Sequence, residues 1–149
     1  MSDRLFFEDL SPGQRFVSRP RRMEAAEIKE FAARYDPQPF HMDEAAGEQS
    51  FFGGLAASGW HTAGVSMAMV VECLPLAGGV IGGGGELLWT RPVRPDDLLR
   101  VECEILETTP SRTRPERGAV VVRCLTLNQD GDVVQSFTPK LVVPRRSAG

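Results

Sequence analysis

Asp36 and His41 are the residues in this chain best placed by type and spacing for acid/base chemistry. They stand five positions apart in Asp36-Pro37-Gln38-Pro39-Phe40-His41, and the only two histidines of the chain, His41 and His61, both fall within Tyr35 to Ala63. Pro37 disfavours a helical conformation for the residue before it, so the amphipathic pattern upstream ends at Asp36. A carboxylate at that end faces the negative pole of the helix dipole and is worth nothing as a cap. Helix stability therefore does not explain it. Pro37 and Pro39 stiffen the link to His41, so an acid and an imidazole can be held at a fixed separation with little entropy left to lose when a substrate binds. The same spacing fits an Asx-turn aspartate and a hydrogen-bonded histidine in an ordinary proline-rich loop.

Ser58 and Gly59 supply the complementary electrophilic end. Ser58 reads as an N-cap, and Gly59, without a side chain, opens a helix whose first N–H groups lie at the positive end of the dipole. Such donors can hold an oxyanion, although ordinary capping by Ser58 accounts for the same residues. Between His41 and Ser58 the sequence is loop-like, with Gly47, Gly53 and Gly54 around Phe51 and Phe52. One of these rings is expected to line a ligand channel, or simply to plug the loop into the core.

The elements that must position these groups are legible as patterns. Ile28, Phe31, Ala32 and Tyr35 recur at i, i+3, i+4 and i+7, predicting a short helix that delivers Asp36 to the edge of an apolar cleft. From Gly59 to Leu74, before Pro75, apolar or small residues occupy every side, which predicts a helix buried all round. Arg15 to Ser18 reads as an opening strand, and Leu99, Val101, Cys103 and Ile105 alternate with charged residues as in a half-buried strand. Ala119 to Leu127 reads as a central strand. Asn128 to Gly131 predicts a hairpin turn into Val133 to Val143, where Pro139 implies a bulge or an edge. Arg94-Pro95-Asp96-Asp97 reads as another turn, so Ile81 to Val93 is expected to pair with Leu98 to Leu106. Gly82 to Gly85 lacks the lysine of a phosphate loop and reads as a glycine bend.

Composition narrows the function. The 149 residues fit one domain, 1–149, with a core of its own. A net charge of -3 and a pI near 5.4 argue against nucleic-acid binding. Cys73, Cys103 and Cys124 are odd in number and set among apolar residues, so they read as small buried hydrophobes. No metal is expected, since neither CxxC nor HExxH spacing occurs, and no cofactor is implied. GxSxG is absent, with Ala56 where its first glycine would stand before Ser58. No signal-peptide pattern or membrane-length apolar run is seen, so a cytoplasmic location without membrane attachment is expected. The Arg112, Arg114 and Arg117 cluster reads as a solvated hairpin end, and Arg145 to Gly149 as a frayed tail.

One long helix against a curling antiparallel sheet is an α+β layout, and an open edge strand invites a second copy, so a homodimer is expected. The order of a short helix, Asp36 to Asp43, the loop to Gly59, the buried helix, then Trp89-Thr90-Arg91-Pro92-Val93 and Arg94-Pro95-Asp96-Asp97-Leu98 resembles the MaoC-like acyl dehydratases. These are relatives of the (R)-specific enoyl-CoA hydratases, built on the hot-dog fold. The resemblance implies reversible addition of water to a trans-2-enoyl thioester, with coenzyme A as the expected carrier. By the same resemblance Asp36 and His41 would activate the water, and the Gly59 N–H would polarise the thioester carbonyl. Gln38, Phe52, Ser58 and Trp60 are expected to contact the substrate. Gln38 stands where the hydratase motif has asparagine, and Ser58 where the hydratases often have histidine. A desolvated Asp36 is expected to be a stronger base than in water. Two other readings use the same scaffold. One is a non-catalytic acyl-thioester binding module. The other is a thioesterase, which needs a carboxylate in the buried helix, where Glu72 is the only candidate.

Overall fold

The computed structural model describes residues 4–146. In chain order it contains β1 (Arg15–Val17), β2 (Arg21–Arg22), α1 (Ala25–Tyr35), α2 (Pro39–Met42), α3 (Glu44–Glu48), α4 (Gly59–Cys73), β3 (Gly82–Trp89), β4 (Leu98–Pro110), β5 (Arg117–Leu127) and β6 (Val133–Pro144). The strands form one antiparallel sheet in the order β1-β4-β5-β6-β3, with β2 also pairing with β4. This is the hot-dog fold of the α+β class.

Period-two patterning decides which sheet face meets α4. Leu99, Val101 and Ile105 are fully buried, and Val120 and Val122 of β5 join them. Each such side chain contributes about 1.5–3 kcal/mol on burial. The intervening Glu102 and Glu104 turn outward and pair with Arg15 and Arg123. The hairpin at Asn128 closes as its sequence predicts, with Gly131 at φ +80° and the Asn128 side chain accepting the N–H groups of Asp130 and Asp132. Pro139 lies opposite Gly85 where the β3–β6 register shifts, so the missing N–H falls at a bulge.

One expected pairing is wrong. Ile81 to Val93 does not form a hairpin with β4; β3 pairs with β6 and lies at the opposite edge. The Arg94–Asp97 turn does exist, with the Asp97 N–H donating to the Arg94 carbonyl, but it is tied to Met23 instead, through the Asp96 N–H and the Asp97 carbonyl. It therefore feeds β4 from the β2 side. Pro92 and Pro95, which have no N–H to give a ladder, carry the chain across between the edges.

Three further expectations are corrected. The stretch after His41 is not all loop: Pro39 starts α2 with its φ already fixed, and Asp43 caps α3 by accepting the Ala46 N–H. Gly47 is needed there because a β-carbon would come within 2.6 Å of the Gly54 backbone. α4 is buried on one face only. Val65, Met69 and Val70 point inward, whereas Trp60, Met67 and Val71 are exposed, because one sheet covers one side of a helix. Finally, Arg145 and Arg146 are not frayed: they pair with Glu8 and Asp9. Ser147 to Gly149 lie outside the described residues. Cys103 and Cys124 are buried with their sulfurs 3.6 Å apart, and Cys73 is half-buried. Among the described residues no helix is long and apolar enough to cross a membrane.

Candidate active site

Asp36 is the C-cap of α1, where its own N–H donates to the Ala32 carbonyl. The chain then turns into α2, which brings His41 back beneath it, with Nε2 at 3.3 Å from Asp36 Oδ2. Asp36 Oδ2 also accepts the Ser58 hydroxyl at 2.7 Å, and Oδ1 accepts the Gln38 amide at 2.5 Å. Burial alone would raise the Asp36 pKa, but the bonds from Ser58 and Gln38, with His41 beside them, outweigh it and hold the carboxyl below its usual value. The expectation of a strengthened base at Asp36 is therefore overturned. The reason is the hydrogen bonding, which favours the ionised form more than desolvation penalises it.

His41 is buried and its tautomer is set from behind. Nδ1 lies 2.6 Å from the Ala56 carbonyl oxygen, which can only accept, so Nδ1 carries a hydrogen. The other nitrogen, Nε2, is left for chemistry. In the neutral ring its lone pair faces the Asp36 carboxylate, an arrangement suited to holding a proton, or a water that donates to both.

Ser58 organises the start of α4. Its hydroxyl accepts the Trp60 N–H, and its carbonyl accepts the N–H groups of His61 and Thr62. The Gly59 N–H has no partner among the described residues, and it stands at the positive end of a fifteen-residue helix. Gly59 and His41 both line a cleft of about 430 Å³, whose walls include Phe51, Phe52, Thr62, Trp89 and Arg91. Phe52 is half-buried against Phe40 and His41, with ring centroids 5.1 and 6.0 Å away. Phe51 is almost wholly exposed at the rim.

The structure thus brings together Asp36, Gln38, His41, Ser58 and Gly59, with Phe52 beside them. Asp36, Gln38 and Ser58 sit behind the cleft wall, touching it through His41 and the helix start. Trp60 is exposed and meets the cleft only through Trp89, edge to face at 5.0 Å. Two contributors were not singled out from the sequence as site residues. The Ala56 carbonyl carried no signal, since any residue has one. Arg94, whose guanidinium donates to the carbonyls of Phe52 and Leu55, was read only as part of a turn. Glu72, the carboxylate required by a thioesterase reading, lies exposed near the far end of α4, paired with Arg19.

Comparison with known proteins agrees with the fold. A crystal structure of a MaoC-like dehydratase from Rhodospirillum rubrum superposes with a TM-score of 0.94 at 56% identity, covering 97% of this chain and 99% of the other. The R-hydratase PhaJ1 from Pseudomonas aeruginosa superposes with a TM-score of 0.77 at 28% identity, covering 96% and 88%. The 3-hydroxybutyryl-CoA dehydratase of Methylorubrum extorquens is 32% identical over 111 residues, 74% of this chain and 69% of that one. With the MaoC like domain matching residues 8–126, the chain belongs to the MaoC-like dehydratase family.

Proposed function

We propose that this protein reversibly hydrates a trans-2-enoyl thioester, a coenzyme A ester, to the (R)-3-hydroxyacyl thioester. The observation that carries the reading is that Gly59, with an uncommitted N–H, and His41, oriented through Nδ1, line one cleft, with Asp36 Oδ2 3.3 Å from His41 Nε2. Similarity to proteins named as a 3-hydroxybutyryl-CoA dehydratase and an R-hydratase supports this substrate class and stereochemistry.

The thioester oxygen accepts the Gly59 N–H, which polarises the conjugated double bond. A water that donates to both Asp36 and His41 adds through its oxygen to C3 as its proton passes to Nε2. Charge moves onto the thioester oxygen, where the helix start stabilises it; one such donor is worth about 3 kcal/mol. C2 then takes a proton from the imidazolium, and the dyad returns to its first state. Asp36, held ionised by Gln38 and Ser58, serves as the counter-charge that stabilises the imidazolium, and His41 is the proton carrier.

Crotonyl-CoA hydration, followed as loss of the enoyl absorbance, tests the reading. Asp36→Asn and His41→Ala are expected to fold and to lose about 10²- to 10⁴-fold in rate. Wild-type turnover in either removes the dyad from the mechanism. Thiol release without loss of the enoyl chromophore would indicate hydrolysis, and tight binding without turnover a binding module. The active form is a homodimer, since β3 is an open edge and the exposed side of α4 has no cover within one chain.

A further inference from the structure

A second cavity of about 150 Å³ lies further along α4, under Ala63, Ser66 and Val70 and over Leu87, Gln135 and Phe137. These helix positions follow Gly59 and Thr62 at i+3 and i+4 spacing, so both spaces lie along one helix face. Between them a polar row crosses an otherwise apolar sheet face. Thr126 of β5 and Trp89 of β3 are both register partners of Gln135. Thr126 is already satisfied by the Ser66 hydroxyl at 2.6 Å.

Gln135 uses only part of its amide. The residue is 98% buried, at 2% relative exposure, yet its amide nitrogen is not among the side-chain atoms sealed away without a partner, so that donor stays open to a small molecule. The indole Nε1 of Trp89 only donates, so the atom of Gln135 that meets it at 2.9 Å must be the carbonyl Oε1. The orientation of the amide follows, and Nε2 becomes the arm left for the inner cavity. Among the described residues Nε2 has no partner, and the cavity has no charged side chain in its wall. The same Trp89 ring covers Gly59, so the amide stands one indole away from the helix start.

From this placement we infer that the inner cavity selects acyl groups carrying a neutral hydrogen-bond acceptor, a ketone, amide or hydroxyl a few carbons beyond the thioester, which Gln135 Nε2 recognises. A carboxylate is excluded, since no cation lines the cavity to offset its desolvation. The inference rests on the hydratase reading for the position of the thioester, but it is testable without turnover.

Calorimetric binding of 5-oxohexanoyl-CoA and hexanoyl-CoA to the wild type, Gln135→Leu and Gln135→Glu separates the possibilities. Saturated esters are used so that no reaction intervenes. The wild type is expected to bind the oxo ester about tenfold more tightly, the scale of one buried hydrogen bond. Gln135→Leu should abolish the preference. Gln135→Glu keeps the shape and the bond from Trp89 but replaces the donor with an acceptor, and should reverse it. Equal binding of the two esters by wild type, or a preference that survives in Gln135→Leu, overturns the inference. If the preference stands but crotonyl-CoA and 5-oxohex-2-enoyl-CoA are not hydrated, the catalytic reading fails alone; hydration without any preference fails this one alone.

Discussion

The Trp89 indole covers Gly59 so closely that a β-carbon on residue 59 would stand 2.6 Å from Trp89 Cε2. The contact keeps the helix start bare while walling the cleft above it. Gly59→Ala must push the indole aside, which overpacking of this kind makes costly by about 1–3 kcal/mol. The expected result is a folded protein with shifted tryptophan fluorescence and at least about a tenfold loss of hydration, since the carbonyl can no longer approach the N–H. Adding Trp89→Ala should restore the melting temperature without restoring the rate. Full activity in Gly59→Ala would place the oxyanion elsewhere.

The nearness of Asp36 and His41 is legible in the sequence because five residues with two prolines leave few conformations, and the Ser58 cap because it is local to the helix it starts. Long-range pairing is another matter. Trp89 reaches Gly59 because β3 pairs with β6, and nothing in Gly82 to Trp89 specifies that partner; the nearby turn at Arg94 points to the wrong neighbour. The basicity of Asp36 is not legible in the sequence for the same reason. Burial is implied by its surroundings in sequence, whereas the Ser58 hydroxyl that opposes it arrives from 22 residues away. The exposed side of α4 was hidden by composition, since a single chain has sheet for one side only.

Removing either donor to Asp36 should raise its pKa. In Ser58→Ala and Gln38→Leu the acid limb of the pH–rate profile is expected to move towards neutral pH. Asp36 ionises in the fold below its unfolded value near 3.8, so it contributes stability that is present above that value and lost as the pH falls through the folded value. Both variants should therefore lose less stability than wild type on acidification across this range. An unchanged acid limb in both variants would show that Asp36 does not set it.

Arg94 fastens the loop over His41 through the carbonyls of Phe52 and Leu55. Lysine has no planar fork with which to reach both. Arg94→Lys is expected to raise KM for the enoyl ester several-fold with a smaller change in kcat, and to speed proteolytic nicking between Ser50 and Leu55. A variant with normal KM and protection would show that the loop holds Phe52 without it.

Trp60, Val71, Leu88 and Trp89 present exposed apolar surface on α4 and the β3 edge. A second copy would cover it and extend the sheet. Sedimentation is expected to show a dimer, and Val71→Arg with Leu88→Lys to yield monomers with little activity, since desolvating either charge costs several kcal/mol. A monomeric wild type with full turnover would contradict the dimer.

His61 is buried against α1, its ring stacked on Phe31 at 4.8 Å and 9°, and its Nδ1 has no partner among the described residues. Burial holds its pKa below 6.5, with Arg21 acting in the same sense and Glu27 opposing. The ring is thus neutral in the fold at pH values where the unfolded chain takes up a proton, so wild-type stability should fall as the pH drops below about 6.5. His61→Phe keeps the stack and removes the unsatisfied nitrogen, which leaves stability equal or higher by about 1 kcal/mol at neutral pH. The gap in melting temperature between variant and wild type is expected to widen from pH 7 to pH 5. A constant gap would mean that His61 takes up its proton equally well in the fold, and that its surroundings are wetter than the packing against Phe31 implies.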